Sequence, residues 1–177
     1  MSMPNQTSAR ASATSTVGAG ATDAVSLLTN DHADVAELFE AYEALVESEA
    51  GEDEKQALAE RICALLTAHA TIEEEIFYPA AREALDEQNL LDEAEVEHAT
   101  AKDLIEQIQS MDPADELYDA KVKVLGEYVN HHVQEEEGEL FPRCQEAEID
   151  LEELGEEISA RREELLEELG LDDDDAS

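Results

Sequence analysis

Two stretches decide the fold: residues 69–79, HATIEEEIFYP, and residues 132–142, HVQEEEGELFP. Both read HxxxEExx[FL][YF]P, with the proline ten residues after the histidine. A histidine with glutamate at i+4 puts both side chains on one helix face, one turn apart. His69 pairs in this way with Glu73, and His132 with Glu136. A single such pair would mean little in a chain of 177 residues with 48 acids. A duplicated block with matching aromatic and proline positions is a specific signal, and it points to metal binding by imidazole and carboxylate. The neighbouring Glu74, Glu75, Glu135 and Glu137 read as a solvated face.

Around these blocks the apolar residues recur at helical spacing. Val25, Leu28, His32, Val35, Phe39, Tyr42 and Val46 alternate steps of 3 and 4, as do Leu58, Ile62, Leu65, His69, Ile72 and Ile76. A third stripe runs through Leu91, Ala94, His98, Ala101, Ile105 and Ile108. The fourth, opened by an Asp112-Pro113 start signal, takes Leu117, Lys121, Val124 or Leu125, Tyr128 and His132. The turns between them, Glu49–Asp53, Asp86–Asn89 and Ser110–Pro113, are short, which makes successive helices antiparallel neighbours. The expected fold is therefore all-α: an up-down-up-down four-helix bundle over residues 23–148. An extra amphipathic C-terminal helix over 149–170 starts at an Asp150 cap and stops at Gly170. It packs outside the bundle or serves a protein partner.

Each of the four stripes carries one histidine: His32, His69, His98 and His132. Burying four imidazoles in one small core costs several kcal/mol unless each finds a polar partner, and a metal satisfies all of them together. His131 points about 100° away from its neighbour, so only one of the two enters the core easily. The repeat and the stripe both select His132, with His131 and its Glu135 at i+4 as a minor alternative.

Composition narrows the rest. The formal net charge is −38, from 48 acids against 10 bases, which is the wrong sign for a nucleic-acid backbone. No stretch approaches the 18 apolar residues of a membrane span. Aromatics make up 4%, with 7 Gly and 4 Pro, which argues against a sandwich or barrel of short strands. Cys63 and Cys144 form no CxxC pair and read as small buried hydrophobes in a reducing cytoplasm. Residues 1–22, without an apolar signal region, read as an N-terminal tail, and 171–177 as an acidic one.

Taken with LLTNDHADV around His32 and EVEHATAKDLIEQI around His98, the two blocks make residues 25–145 resemble the hemerythrin-like, HHE cation-binding domain family. The resemblance implies an antiparallel four-helix bundle holding two iron ions in a non-haem di-iron centre, with a bridging oxo or hydroxo group. It makes His32, His69, His98 and His132 terminal ligands, with Glu73 and Glu136 bridging the irons. The donor types agree with iron, and manganese accepts the same set. Oxygen-carrying members place two ligand histidines four apart on the third helix, whereas here Ala94 and Lys102 flank His98 at that distance. Positions on the metals are then open to water, O2 or NO, unless Glu95 fills in. Ligation of O2 or NO, or iron handling, in a sensing or redox role is expected rather than oxygen transport. A di-iron oxidase or peroxidase-like enzyme, or an NO-detoxifying or iron-centre repair protein, is the second reading. Repair members typically carry a cysteine-bearing N-terminal domain, for which residues 1–22 are too short. A metal-free acidic bundle that binds a partner through Leu151–Leu169 is the third.

The acid excess is spread over every helix and is similar to that of proteins from salt-accumulating halophilic archaea. At about 1 M salt the Debye length falls to roughly 3 Å, which screens the self-repulsion of such a chain. Helicity measured by circular dichroism is expected to fall as KCl is lowered from molar concentration. Full helicity in about 50 mM KCl would refute that account.

Overall fold

Asp23 opens the first helix, its carboxylate accepting the Ser26 backbone N–H at 3.1 Å. From there a computed structural model describes residues 23–86 and 88–171. The tail expected at 1–22 lies outside the described residues, as do positions 172–177 of the acidic one. The elements are α1 (Ala24–Glu47), α2 (Glu52–Ile72), α3 (Tyr78–Ala84), α4 (Asn89–Ser110), α5 (Tyr118–Glu135), α6 (Phe141–Glu146) and α7 (Leu151–Leu169). No strand occurs among the described residues.

Packing follows chain order: α1 lies against α2, α2 against α4, α4 against α5, and α5 closes the ring on α1. That is the four-helix bundle expected from the short turns. At Gly126, an added Cβ would stand 3.0 Å from the Phe39 ring, so α5 can approach α1 this closely because it has no side chain there. The apolar core comes in two clusters. One holds Leu28, Ile72, Phe77, Leu91, Leu140 and Phe141; the other holds Tyr42, Ile62, Ile108, Tyr118, Val122 and Leu125.

The two repeated blocks do not continue as plain α-helix. A π-helical turn spans Glu73–Phe77 between α2 and α3, and another spans Glu136–Leu140 between α5 and α6. The Tyr78 N–H bonds to the Glu73 carbonyl and the Phe141 N–H to that of Glu136, five residues back in each case. Pro79 and Pro142 follow at once. Proline has no N–H to donate and its ring collides with the carbonyl four residues earlier, so a wider turn relieves the conflict. The extra residue also shifts the buried stripe: Phe77 is fully buried where the 3-4 spacing selects Ile76, which is only partly buried.

The fourth stripe needs a larger correction. Asp112-Pro113 opens a pair of turns, with the Asp112 carboxylate accepting the Ala114 N–H, and the helix itself begins at Tyr118. Counting back from His132 in steps of 3 and 4 gives Val129, Leu125, Val122 and Tyr118, all turned inward. Leu117, Val124 and Tyr128 are instead exposed.

The C-terminal helix lies on α1 and α2, with Ile158 and Leu165 in one apolar cluster and Leu166 in the other. Asp150 caps its start and Gly170, at φ 71°, ends it, as read from sequence. No described helix is long and apolar enough to cross a membrane.

Both cysteines are free and buried, and burial pushes the Cys63 thiol up to about 12 and that of Cys144 to about 11. A raised thiol pKa keeps the reactive thiolate scarce at pH 8. An aromatic disulfide reagent is therefore expected to leave the folded protein untouched at that pH and to modify both thiols in denaturant. Fast reaction of the folded form would contradict this packing.

Candidate metal centre

Between the two apolar clusters lies a belt of buried polar side chains: His32 from α1, His69 from α2, His98 from α4, His132 from α5, and Glu73 and Glu136 from the π turns. The structure brings all six sequence-predicted residues together. His32 and His69 face each other with their Nε2 atoms 3.1 Å apart, and His98 and His132 do the same at 3.1 Å. Glu73 Oε2 stands 3.3 Å from Nε2 of both His69 and His98. Glu136 Oε2 stands 3.3 Å from His32 and 3.4 Å from His132. Each carboxylate thus reaches across from one histidine pair to the other.

The outward nitrogen of every histidine is held by a carboxylate. The Nδ1 of His32 meets Glu137 at 2.9 Å, and that of His98 meets Glu74 at 3.0 Å. The Nδ1 of His132 meets Glu97 at 2.8 Å, and that of His69 meets Asp31 at 3.4 Å. An Nδ1–H donated outward fixes the tautomer that leaves the Nε2 lone pair facing in, and it makes the imidazole a better donor. Glu74 and Glu137 are therefore not the solvated face that composition suggests. Glu75 does stay at the surface, paired with Arg161 of α7 at 2.8 Å, whereas Glu135 is half-buried beside His131 at 3.4 Å.

The arrangement repeats with the sequence. An acid precedes the first histidine of each half (Asp31-His32 and Glu97-His98) and holds the second histidine of that half. The second glutamate of each block holds the first histidine of the other half.

Tyr78 was visible only as part of the repeat, yet its hydroxyl donates to Glu136 at 2.9 Å and lies 3.2 Å from His98 Nε2. Burial, reinforced by Glu73 and Glu136, raises its pKa far above the ordinary phenol range. Phe141 takes the matching place in the second block, stacking on His32 at 5.8 Å without a hydroxyl. The two alternatives left by the sequence lie elsewhere. Glu95 is exposed and paired with Arg82 at 2.8 Å, and the His131 side chain is 64% exposed.

Two observations test whether a cation fits. Glu73 Oε1 and Glu136 Oε2 are buried with no hydrogen-bond partner, a costly state for carboxylate oxygens. Without a metal, protons must do the neutralising. Burial disfavours charge on both His69 and Glu73, but their mutual attraction wins: the His69 pKa stands well above the ordinary imidazole value and that of Glu73 well below the ordinary carboxylate. His98 is raised as well, burial again being outweighed by Glu73. Imidazole nitrogens and anionic oxygens converging without any competing amine or guanidinium suit a transition-metal cation.

Replacing Glu137 with Ala is expected to weaken metal affinity about 10–100-fold in a chelator competition while helicity is unchanged. Glu139→Ala, on the exposed side of the same turn, should have no effect. Equal affinities for the two variants would refute the orienting role.

Comparison with known proteins agrees with this geometry. The solved structure of a hemerythrin HHE cation binding domain-containing protein from Mycobacterium kansasii, a homolog of Rv2633c, superposes with a TM-score of 0.69 at 26% identity, covering 82% of this chain and 88% of that one. A protein of Nostoc sp. PCC 7120 named as a DNA nickase is 39% identical over 79 residues, which is 43% of this chain and 21% of the relative's length. The hemerythrin HHE cation binding domain family matches residues 23–144, a span that takes in all six convergent side chains, and the chain belongs to that family of metal-binding helical bundles.

Proposed function

We propose that the protein holds two iron ions, with His32 and His69 on one, His98 and His132 on the other, and Glu73 and Glu136 bridging them. The observation that carries this reading is the reach of each glutamate oxygen to one histidine of either pair, 3.3 Å on both sides for Glu73. Two carboxylates projecting between facing helices favour a dinuclear arrangement over a single ion. Iron bound there would supply open coordination positions for a small ligand and a change of oxidation state.

A cavity of about 40 Å³ adjoins the histidines, walled by Val35, Leu66, Ala101, Ile105, Val129 and Val133. Its size admits a diatomic molecule such as O2 or NO, or peroxide, and excludes organic substrates. The charged residues at its edge are already committed, Lys102 to Glu74 at 2.6 Å, Asp31 to His69 and Arg162, and Glu97 to His132, while Tyr128 also lines it. With its carboxylates and its one ammonium group committed, capture of a small ligand or of iron itself, in a sensing or redox role, is better supported than turnover of a substrate. The buried free thiols agree with a reducing cytoplasm. The nicking activity in the Nostoc protein's name does not carry over, since the match spans 21% of that protein and a net charge of −38 opposes a phosphate backbone.

Elemental analysis after anaerobic iron loading in molar KCl is expected to give about two irons per chain, falling with Glu73→Ala or Glu136→Ala. Iron well below one per chain with helicity intact would sink the reading. Uptake of O2 and its unchanged release under vacuum would overturn the sensing role in favour of transport.

A further inference from the structure

The two halves of the centre are not equally covered. On the α1–α2 side, the outer oxygen of Asp31 is ion-paired with Arg162 of α7 at 3.0 Å, and α7 lies over that flank. On the α4–α5 side the matching acid is Glu97, and its outer oxygen stands 3.7 Å from His131 Nε2. Glu135 approaches the same nitrogen at 3.4 Å. The three side chains converge closely enough to hold one cation, with donor atoms all within 4.8 Å of one another.

This cluster is more than exposed acid, because it sits over a way in. Glu97 and Glu135 also line a small cavity of about 10 Å³, the room of a single water, whose inner wall is His132 and Glu136. Glu136, on that inner wall, has its Oε2 atom buried without a hydrogen-bond partner. A solvent-side groove with Glu93 and with Asp92, which Arg82 pairs at 3.0 Å, leads to the cluster. Carboxylates and one imidazole therefore run from solvent through Glu97 and Glu135 to the buried donors.

We infer that Glu97, His131 and Glu135 form a surface site for a divalent cation and that Fe2+ passes through it into the buried centre. This rests on the di-metal reading above. One imidazole and two carboxylates, with water filling the remaining positions, bind a first-row divalent ion loosely and reversibly, as a transit site requires. Glu97 belongs to both places: one oxygen faces His131 and the other accepts from His132, so an ion leaving the surface meets a group already fixed to the inner site.

The test follows Fe2+ uptake anaerobically in the full chain by stopped-flow, reading final iron by elemental analysis. His131→Ala and Glu135→Gln are compared with Glu163→Gln, which removes the same charge from the exposed face of α7. Glu97 is left intact because it holds His132. The expected result is uptake slowed roughly ten-fold in His131→Ala and Glu135→Gln, with Glu163→Gln unaffected and final iron unchanged in all. In the iron-loaded protein, Mn2+ is expected to broaden the His131 imidazole signals first in an NMR titration, and to lose that selectivity in Glu135→Gln. Uptake at the wild-type rate, or Mn2+ broadening no greater at His131 than at other surface sites, overturns the transit site. Failure of the wild type to take up iron overturns the di-metal reading instead, which keeps the two outcomes apart.

Discussion

Four imidazoles whose inner nitrogens point at one another cannot be left in a protein core without a cation, and the rest of the fold is arranged around that constraint. The Nε2 atoms meet in two pairs at 3.1 Å, and the two glutamates between them are almost wholly inaccessible to solvent. Polar groups so placed cost several kcal/mol each unless compensated. The compensation comes from both directions: a carboxylate behind every imidazole holds its outer nitrogen, and apolar clusters above and below seal the belt. Fixed geometry of this kind is what selects a metal over loosely held protons, because the outer carboxylates hold the donors in their directions.

The bundle was legible because burial leaves a periodic trace. Three of the four stripes, including the histidine of each, match the buried faces apart from Val46, exposed near the end of α1, and Ile76, displaced by the π turn; the duplicated HxxxEE block marked His69, Glu73, His132 and Glu136, and the stripes marked His32 and His98. What escaped was whatever depended on breaking the period. The Asp112–Leu117 turns moved the start of α5, so a stripe counted forward from Leu117 fell one residue out of phase, while one counted back from His132 is correct. The π turns escaped for the same reason, although Pro79 and Pro142 gave the signal: a proline inside a helical pattern demands some local rearrangement.

The outer carboxylates were hidden by abundance. In a chain with 48 acids, Glu74 and Glu137 look like any other surface residue. Their repetition after each bridging-type glutamate was the available clue, as was the acid preceding His32 and His98. Repetition at matching places is informative where composition is not, since solvation alone has no reason to preserve a register between distant helices. Tyr78 shows the converse. Its block partner is Phe141, so the repeat masked the one hydroxyl that distinguishes the two halves of the site.

Charge ties the centre to the acidic chain around it. Six carboxylates surround the belt, two inner and four outer, and Lys102 and Arg162 each neutralise one of the outer set. On the proposed di-metal reading, the four negative charges that remain would match two divalent cations. A single divalent ion would leave half of that charge uncompensated in a partly desolvated site, where repulsion is only weakly screened. With one flank closed by α7 and the other lined with acid, the route of entry proposed above lies on the α4–α5 side.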